Sequence, residues 1–211
     1  MQVINLLREE HKKLKVFHLY LNTAADKLIK GEKISPVIFQ KVAKFAEFFI
    51  RNYHMWIEDD LIIKFLKSKG FPDREGVLEE LENDHREAEK YLSDLLAAIM
   101  IMGENTDSIL NKNFETNIQA YSQLIAAHVG EEETILFPLL KSVLSSEEDQ
   151  ELYSKVKESI QGLNQDLLQL YQKSLDEIKA ELGVKSLNEQ EELEKLWLLM
   201  QINPMEIIKD E

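Results

Sequence analysis

The sequence predicts an all-α protein, an up-and-down four-helix bundle with a C-terminal helical extension, and three observations carry that expectation. Only seven Gly and four Pro interrupt 211 residues, while Leu, Glu, Lys, Ile and Ala are abundant, a composition suited to long helices rather than to many short strands. Apolar residues recur at spacings of three and four, as in Phe45, Phe48, Phe49, Ile57, Leu61 and Phe65. The breaks between these stretches are short, which makes consecutive helices antiparallel neighbours.

The first helix is expected over about residues 3–30, where Gly31 ends it. Ser35 and Pro36 form an N-cap and N1 pair that opens a second helix, running to about Lys69. Gly70, Phe71, Pro72 and Asp73 make the next break, a third helix covers about residues 75–102, and residues 103–107 form a polar turn. The fourth helix then runs to about Leu144. Beyond it, Ser146 followed by Glu147, Glu148 and Asp149 reads as the start of a fifth helix, extending to Leu182 with a bend at Gly162. Gly183 ends that helix, and Ser186 with Glu189 has the spacing of a capping box for a last helix that stops before Pro204. The expected organisation is a bundle over residues 1–144 and an extension over 145–211 that packs on the bundle or mediates association, including homodimerisation through the C-terminal helices.

Composition narrows the function. A formal charge of −14 repels phosphate backbones and anionic lipid, so no nucleic acid and no membrane partner is expected. No apolar run reaches signal-peptide or membrane-spanning length, and the expected location is cytoplasmic. The chain has no Cys, so any metal must be held by imidazole and carboxylate, a donor set that points to iron, manganese or zinc.

Five histidines occur, and four of them lie on one internal repeat. His11, His54 and Glu58 recur as His85, His128 and Glu132, each displaced by 74 residues. His54 with Glu58 and His128 with Glu132 are i, i+4 pairs, which share a helix face. In an up-and-down bundle these groups and the lone histidines fall at one level, because their distances to the connecting turns match. Two carboxylates from facing helices can bridge two metal ions while four imidazoles hold them in pairs, a relative of the Glu and Glu-x-x-His scheme of di-iron bundles. Six protein donor groups shared by two ions leave open positions for water, oxide or dioxygen.

His18 lies two turns from His11 on the same face, too far to join this set. Glu47 and Tyr121 stand at its level, so a hydrogen-bonded His18–Glu47–Tyr121 cluster governing proton access is expected. Glu89 is read as an outer partner or a solvated group, Trp56 as packing, and Arg51, Asp59 and Glu131 as solvated or flanking charges.

The chain resembles hemerythrin-like proteins with the HHE cation-binding domain, over about residues 1–144. The strongest segment is HVGEEETILFPLL, from His128 to Leu140, which is similar to the family's fourth-helix motif. The stretch from His54 to Leu66 is its degraded copy, with Met55 in place of the second histidine of the usual doublet and Lys64 in place of the proline. The resemblance implies a non-heme centre of two iron ions, oxo- or hydroxo-bridged, ligated by His11, His54, Glu58, His85, His128 and Glu132, with zinc or manganese as substitutes. Oxygen-carrying members have a fifth histidine on the third helix, where this chain has Leu81 on one side and Glu89 on the other, and a carboxylate five residues past the last histidine. This chain is more similar to the symmetric six-ligand branch, which includes the F-box iron and oxygen sensor of animals. The implied function is binding or sensing of dioxygen, nitric oxide or iron. The alternative is a di-iron oxidoreductase that reduces peroxide, oxidises iron or repairs damaged iron centres.

Overall fold

A computed structural model describes residues 1–32, 34–72, 74–102, 112–162 and 165–184. Among the described residues six helices follow one another and there is no strand. They are α1 (Gln2–Ile29), α2 (36–68), α3 (Val77–Met102), α4 (112–143), α5 (Ser146–Gly162) and α6 (Gln165–Leu182). Helix α1 packs on α4, α4 on α3, α3 on α2 and α2 on α1, which closes the four-helix ring. The core inside it is built from Leu7, Leu14, Phe17, Leu21, Phe45, Phe49, Tyr121 and Phe137, all essentially inaccessible to water.

Local chemistry sets the ends of these helices much as the sequence predicts. The Ser35 hydroxyl accepts from the Val37 amide at 3.3 Å, with Pro36 at the first helical position. Gly31, Gly70 and Gly183 take positive φ of 73°, 92° and 65° where α1, α2 and α6 end. Helix α3 starts two residues later than expected, because Glu75 (φ 65°) and Gly76 (φ 127°) are left-handed; the Glu79 carboxylate accepts from the Glu75 amide at 2.7 Å. Helix α5 starts at Ser146 as expected, with a reciprocal cap from Ser145 and Glu148: the Ser145 amide donates to Glu148 at 3.0 Å and the Glu148 amide to the Ser145 hydroxyl at 3.2 Å. The expected fifth helix is described over Ser146–Gly162 (α5) and Gln165–Leu182 (α6). The turn at 103–107 and the last helix beyond Val184 lie outside the described residues.

Two features were not legible in the pattern. Helix α2 is wide-turned over Ala46–Met55 and Ile57–Ile63, and α4 over Glu132–Leu136, with i→i+5 rather than i→i+4 geometry. In both helices the widened turn includes the glutamate of the i, i+4 pair. Pro138 follows the widened turn in α4, but Lys64 stands at the matching place in α2, so proline is not the cause the two share. The second feature is Asp149, buried on α5. It accepts from the amides of Gln2 at 2.8 Å and Val3 at 3.1 Å, capping the N-terminus of α1, where Met1 offers no side-chain cap. Helix α5 thereby packs along α1, and α6 packs on α1 and the start of α2.

Candidate metal centre

The six residues of the repeat converge in the bundle interior. His11, His54, Glu58 and Glu132 each offer a ligand atom within 4.8 Å of the others, and Glu58, His85 and His128 form a second such group. Glu58 belongs to both. Its Oε1 lies 3.1 Å from His54 Nε2 and 3.9 Å from His11 Nε2, while its Oε2 lies 3.3 Å from His85 Nε2 and 3.9 Å from His128 Nε2. Glu132 is disposed in the same way, with Oε2 at 3.1 Å from His11 Nε2 and Oε1 at 3.7 Å from His128 Nε2. Each carboxylate therefore turns one oxygen to each histidine pair. His85 and His128 bring their Nε2 atoms to within 2.9 Å of each other, aimed at one spot.

The environment is costly without an ion. All six residues are buried, yet His11 Nε2, His54 Nε2 and all four oxygens of Glu58 and Glu132 lack an aligned hydrogen-bond partner. Buried polar groups are almost always satisfied, and a cluster of orphaned acceptors around one point fits a bound cation. The donor set, imidazole and carboxylate with no sulfur, fits a first-row divalent ion.

The opposite edge of every imidazole is engaged. His11 Nδ1 meets Glu133 at 3.0 Å, His54 Nδ1 meets Glu10 at 2.9 Å, His85 Nδ1 meets Asp59 at 2.8 Å and His128 Nδ1 meets Asp84 at 3.3 Å. With Nδ1–H donating to a carboxylate, each Nε2 presents its lone pair to the centre and the ring is held in orientation. These four carboxylates obey the repeat as well: Glu10 and Asp84 are 74 residues apart, as are Asp59 and Glu133. The flanking role expected for Asp59 is thus corrected, since it orients His85. The signal was present in the sequence as an acidic residue directly before His11 and His85 and directly after Glu58 and Glu132.

Without an ion these contacts favour protons. For His11, His85 and His128, burial pushes the imidazole down but the surrounding carboxylates outweigh it, raising His11 well above its ordinary value, His85 to about 10 and His128 to about 9. Glu58 is held well below the carboxylate range: burial pushes it up, and His54 with the other three imidazoles outweighs burial.

The other expectations divide. His18 is fully buried, and burial lowers it to about 3. Its Nδ1 lies 3.4 Å from the Ser122 hydroxyl, which donates to Asn22 at 3.1 Å, and its ring lies 5.5 Å from that of Tyr121. Tyr121 is where the sequence reading put it, but Ser122 takes the hydrogen bond expected of Glu47, which is half-buried in the wall. Glu89 pairs with Arg51 at 3.1 Å on the surface, and Trp56 is partly exposed rather than packed inside. A link that the spacing did not show runs outward from His54: the Tyr53 hydroxyl donates to Glu10 at 2.5 Å, so a surface tyrosine cavity and the centre share one carboxylate.

A family model described as the hemerythrin HHE cation-binding domain matches residues 2–140. No curated protein and no solved structure matches the chain.

Proposed function

The chain belongs to the hemerythrin HHE cation-binding domain family, and from that premise we propose that it is a di-iron protein that binds or senses dioxygen, nitric oxide or iron itself. The observation that carries this reading is the pair of carboxylates, Glu58 and Glu132, set between two histidine pairs, with six of the inward donor atoms lacking any aligned protein partner. His11 and His54 would hold one ion, His85 and His128 the other, and Glu58 and Glu132 would span both. Two ferrous ions would supply electrons and open coordination positions for a diatomic ligand. The chain's own part is to hold four imidazoles in one tautomer through Glu10, Asp59, Asp84 and Glu133, and to exclude bulk water with the apolar wall around the centre. Zinc or manganese can occupy the same donors, so the ion present depends on supply as well as geometry.

The test is to admit air to the anaerobically reduced, iron-loaded protein. A new near-ultraviolet and visible band that vanishes on deoxygenation supports dioxygen binding, and irreversible conversion to a ferric spectrum supports redox sensing. A second reading, a di-iron oxidoreductase, draws on a surface cavity that reaches His85. Catalytic loss of peroxide, many equivalents per chain, would favour it over a binding role.

A further inference from the structure

The repeat places the same donors on both sides of the centre, but it does not give the two sides the same exterior. On the side of His11, Phe137 stacks on the imidazole at 5.3 Å and 15°, with the Arg8 guanidinium over that phenyl ring at 5.7 Å. The carboxylate behind His11, Glu133, is 33% exposed and is paired with the Lys15 ammonium at 3.2 Å. On the side of His85, the residue matching Phe137 is Ile63, and the residue matching Lys15 is Glu89. Here a surface cavity of about 310 Å³ has His85 itself in its wall, and the carboxylate behind His85, Asp59, is 41% exposed. Directly inside His85, 3.3 Å away, lies Glu58 Oε2, fully buried and without a hydrogen-bond partner.

Charge follows the same division. The cavity wall carries four acids, Asp59, Asp60, Glu82 and Glu89, against two arginines. The nine positions displaced by 74 residues carry Arg8, Lys12 and Lys15 against one acid, Glu133. Lys64 and Lys67 pair with Asp60 and Glu82 at the outer edge of the mouth and Arg51 pairs with Glu89. That leaves Asp59, 2.8 Å from His85 Nδ1, as the wall acid that no lysine or arginine pairs with among the described residues.

We infer that divalent cations load the centre through this cavity, passing Asp59 and His85, so that the His85–His128 position is the exchangeable one and the His11–His54 position lies behind it. The inference rests on the two-ion reading above. A charged ion needs a route of exposed oxygen donors ending at buried unsatisfied ones. Both faces have such oxygens, but on this face they open to a cavity, whereas on the other Glu133 is paired with Lys15, and Phe137 under Arg8 stacks on His11.

The test is stopped-flow uptake of ferrous iron by metal-free full-length protein under anaerobic conditions, with metal per chain measured at the end. The variant neutralises the rim without touching the donors or their carboxylates: Asp60→Asn, Glu82→Gln and Glu89→Gln together. The control removes the same charge elsewhere, Glu147→Gln, Glu158→Gln and Glu181→Gln, all exposed on α5 and α6. The rim variant should load about tenfold more slowly and with a shallower dependence on ionic strength, yet reach the wild-type stoichiometry, while the control loads at the wild-type rate. Uptake by the rim variant at the wild-type rate, or equal slowing in both variants, overturns the inference. Failure of the wild type itself to take up two ions would instead overturn the reading on which it rests.

Discussion

The two helix hairpins of the bundle, α1–α2 and α3–α4, carry the same chemistry at the same spacing, and they differ in how that chemistry is shielded. His54 is backed by Glu10, a carboxylate 4% exposed and tied by a second hydrogen bond to Tyr53. Its counterpart His128 is backed by Asp84, 24% exposed and 3.3 Å away, and the residue matching Tyr53 is Ala127. His11 is sealed by Phe137, and His85 faces a cavity. The inward-facing residues thus follow the repeat and their surroundings do not, a difference that supports the proposed division into one tight and one accessible position.

The largest effect is expected where the halves meet. Glu58→Ala removes the oxygens that face both histidine pairs, and metal content measured by mass spectrometry should fall from two ions per chain to fewer than one. A variant that retained both ions would break the symmetric picture. Next, Glu10→Gln and Asp84→Asn compare the two sides directly. Losing the carboxylate behind a metal-bound histidine costs on the order of 10–100-fold in affinity. The shorter, buried and doubly bonded Glu10 should lie near the upper end of that range and Asp84 near the lower, as read by competition with a chromogenic chelator.

Helix α1 carries both His11 and His18, and the two respond to acid differently. His18 is held neutral in the fold, lowered to about 3 against an unfolded value of about 6.5. The unfolded chain then binds more protons, so this group's contribution is present above about pH 6.5 and is lost as the pH falls toward 3. Urea denaturation of metal-free protein should show that loss, and His18→Phe should flatten the part of it that lies between those values. A smaller effect separates the hairpins at their first turns. Helix α3 begins with a local Glu79–Glu75 contact, whereas α1 borrows Asp149 from α5. Asp149→Ala should cost about 1–2 kcal/mol in the same denaturation, with metal content unchanged.

The bundle, the breaks at Gly31 and Gly70 and the six side chains that meet inside were legible in the sequence because each leaves a periodic or spaced trace. The 74-residue displacement pairs His11 with His85 and Glu58 with Glu132 without any reference to space. What stayed hidden depends on contacts between helices that share no local pattern. Asp59 reads as a flanking charge until helix crossing sets it beside His85, Glu133 draws no reading until the same crossing sets it beside His11, and Asp149 reads as part of its own helix start until α5 packs along α1. Ser122 displaced Glu47 as the partner of His18 because a residue level with another in the bundle still has to point at it. The widened turns share the glutamate of the i, i+4 pair, but that spacing is equally at home in a regular α-helix and so does not announce them.

The most direct measurement is iron bound per chain at saturation, taken anaerobically on the wild type and on the double variant His85→Ala, His128→Ala. Two ions in the wild type and one in the variant are the expected result, because His11 and His54 keep their own pair of carboxylate oxygens. Saturation of the wild type at one ion or none would contradict a centre built from two histidine pairs.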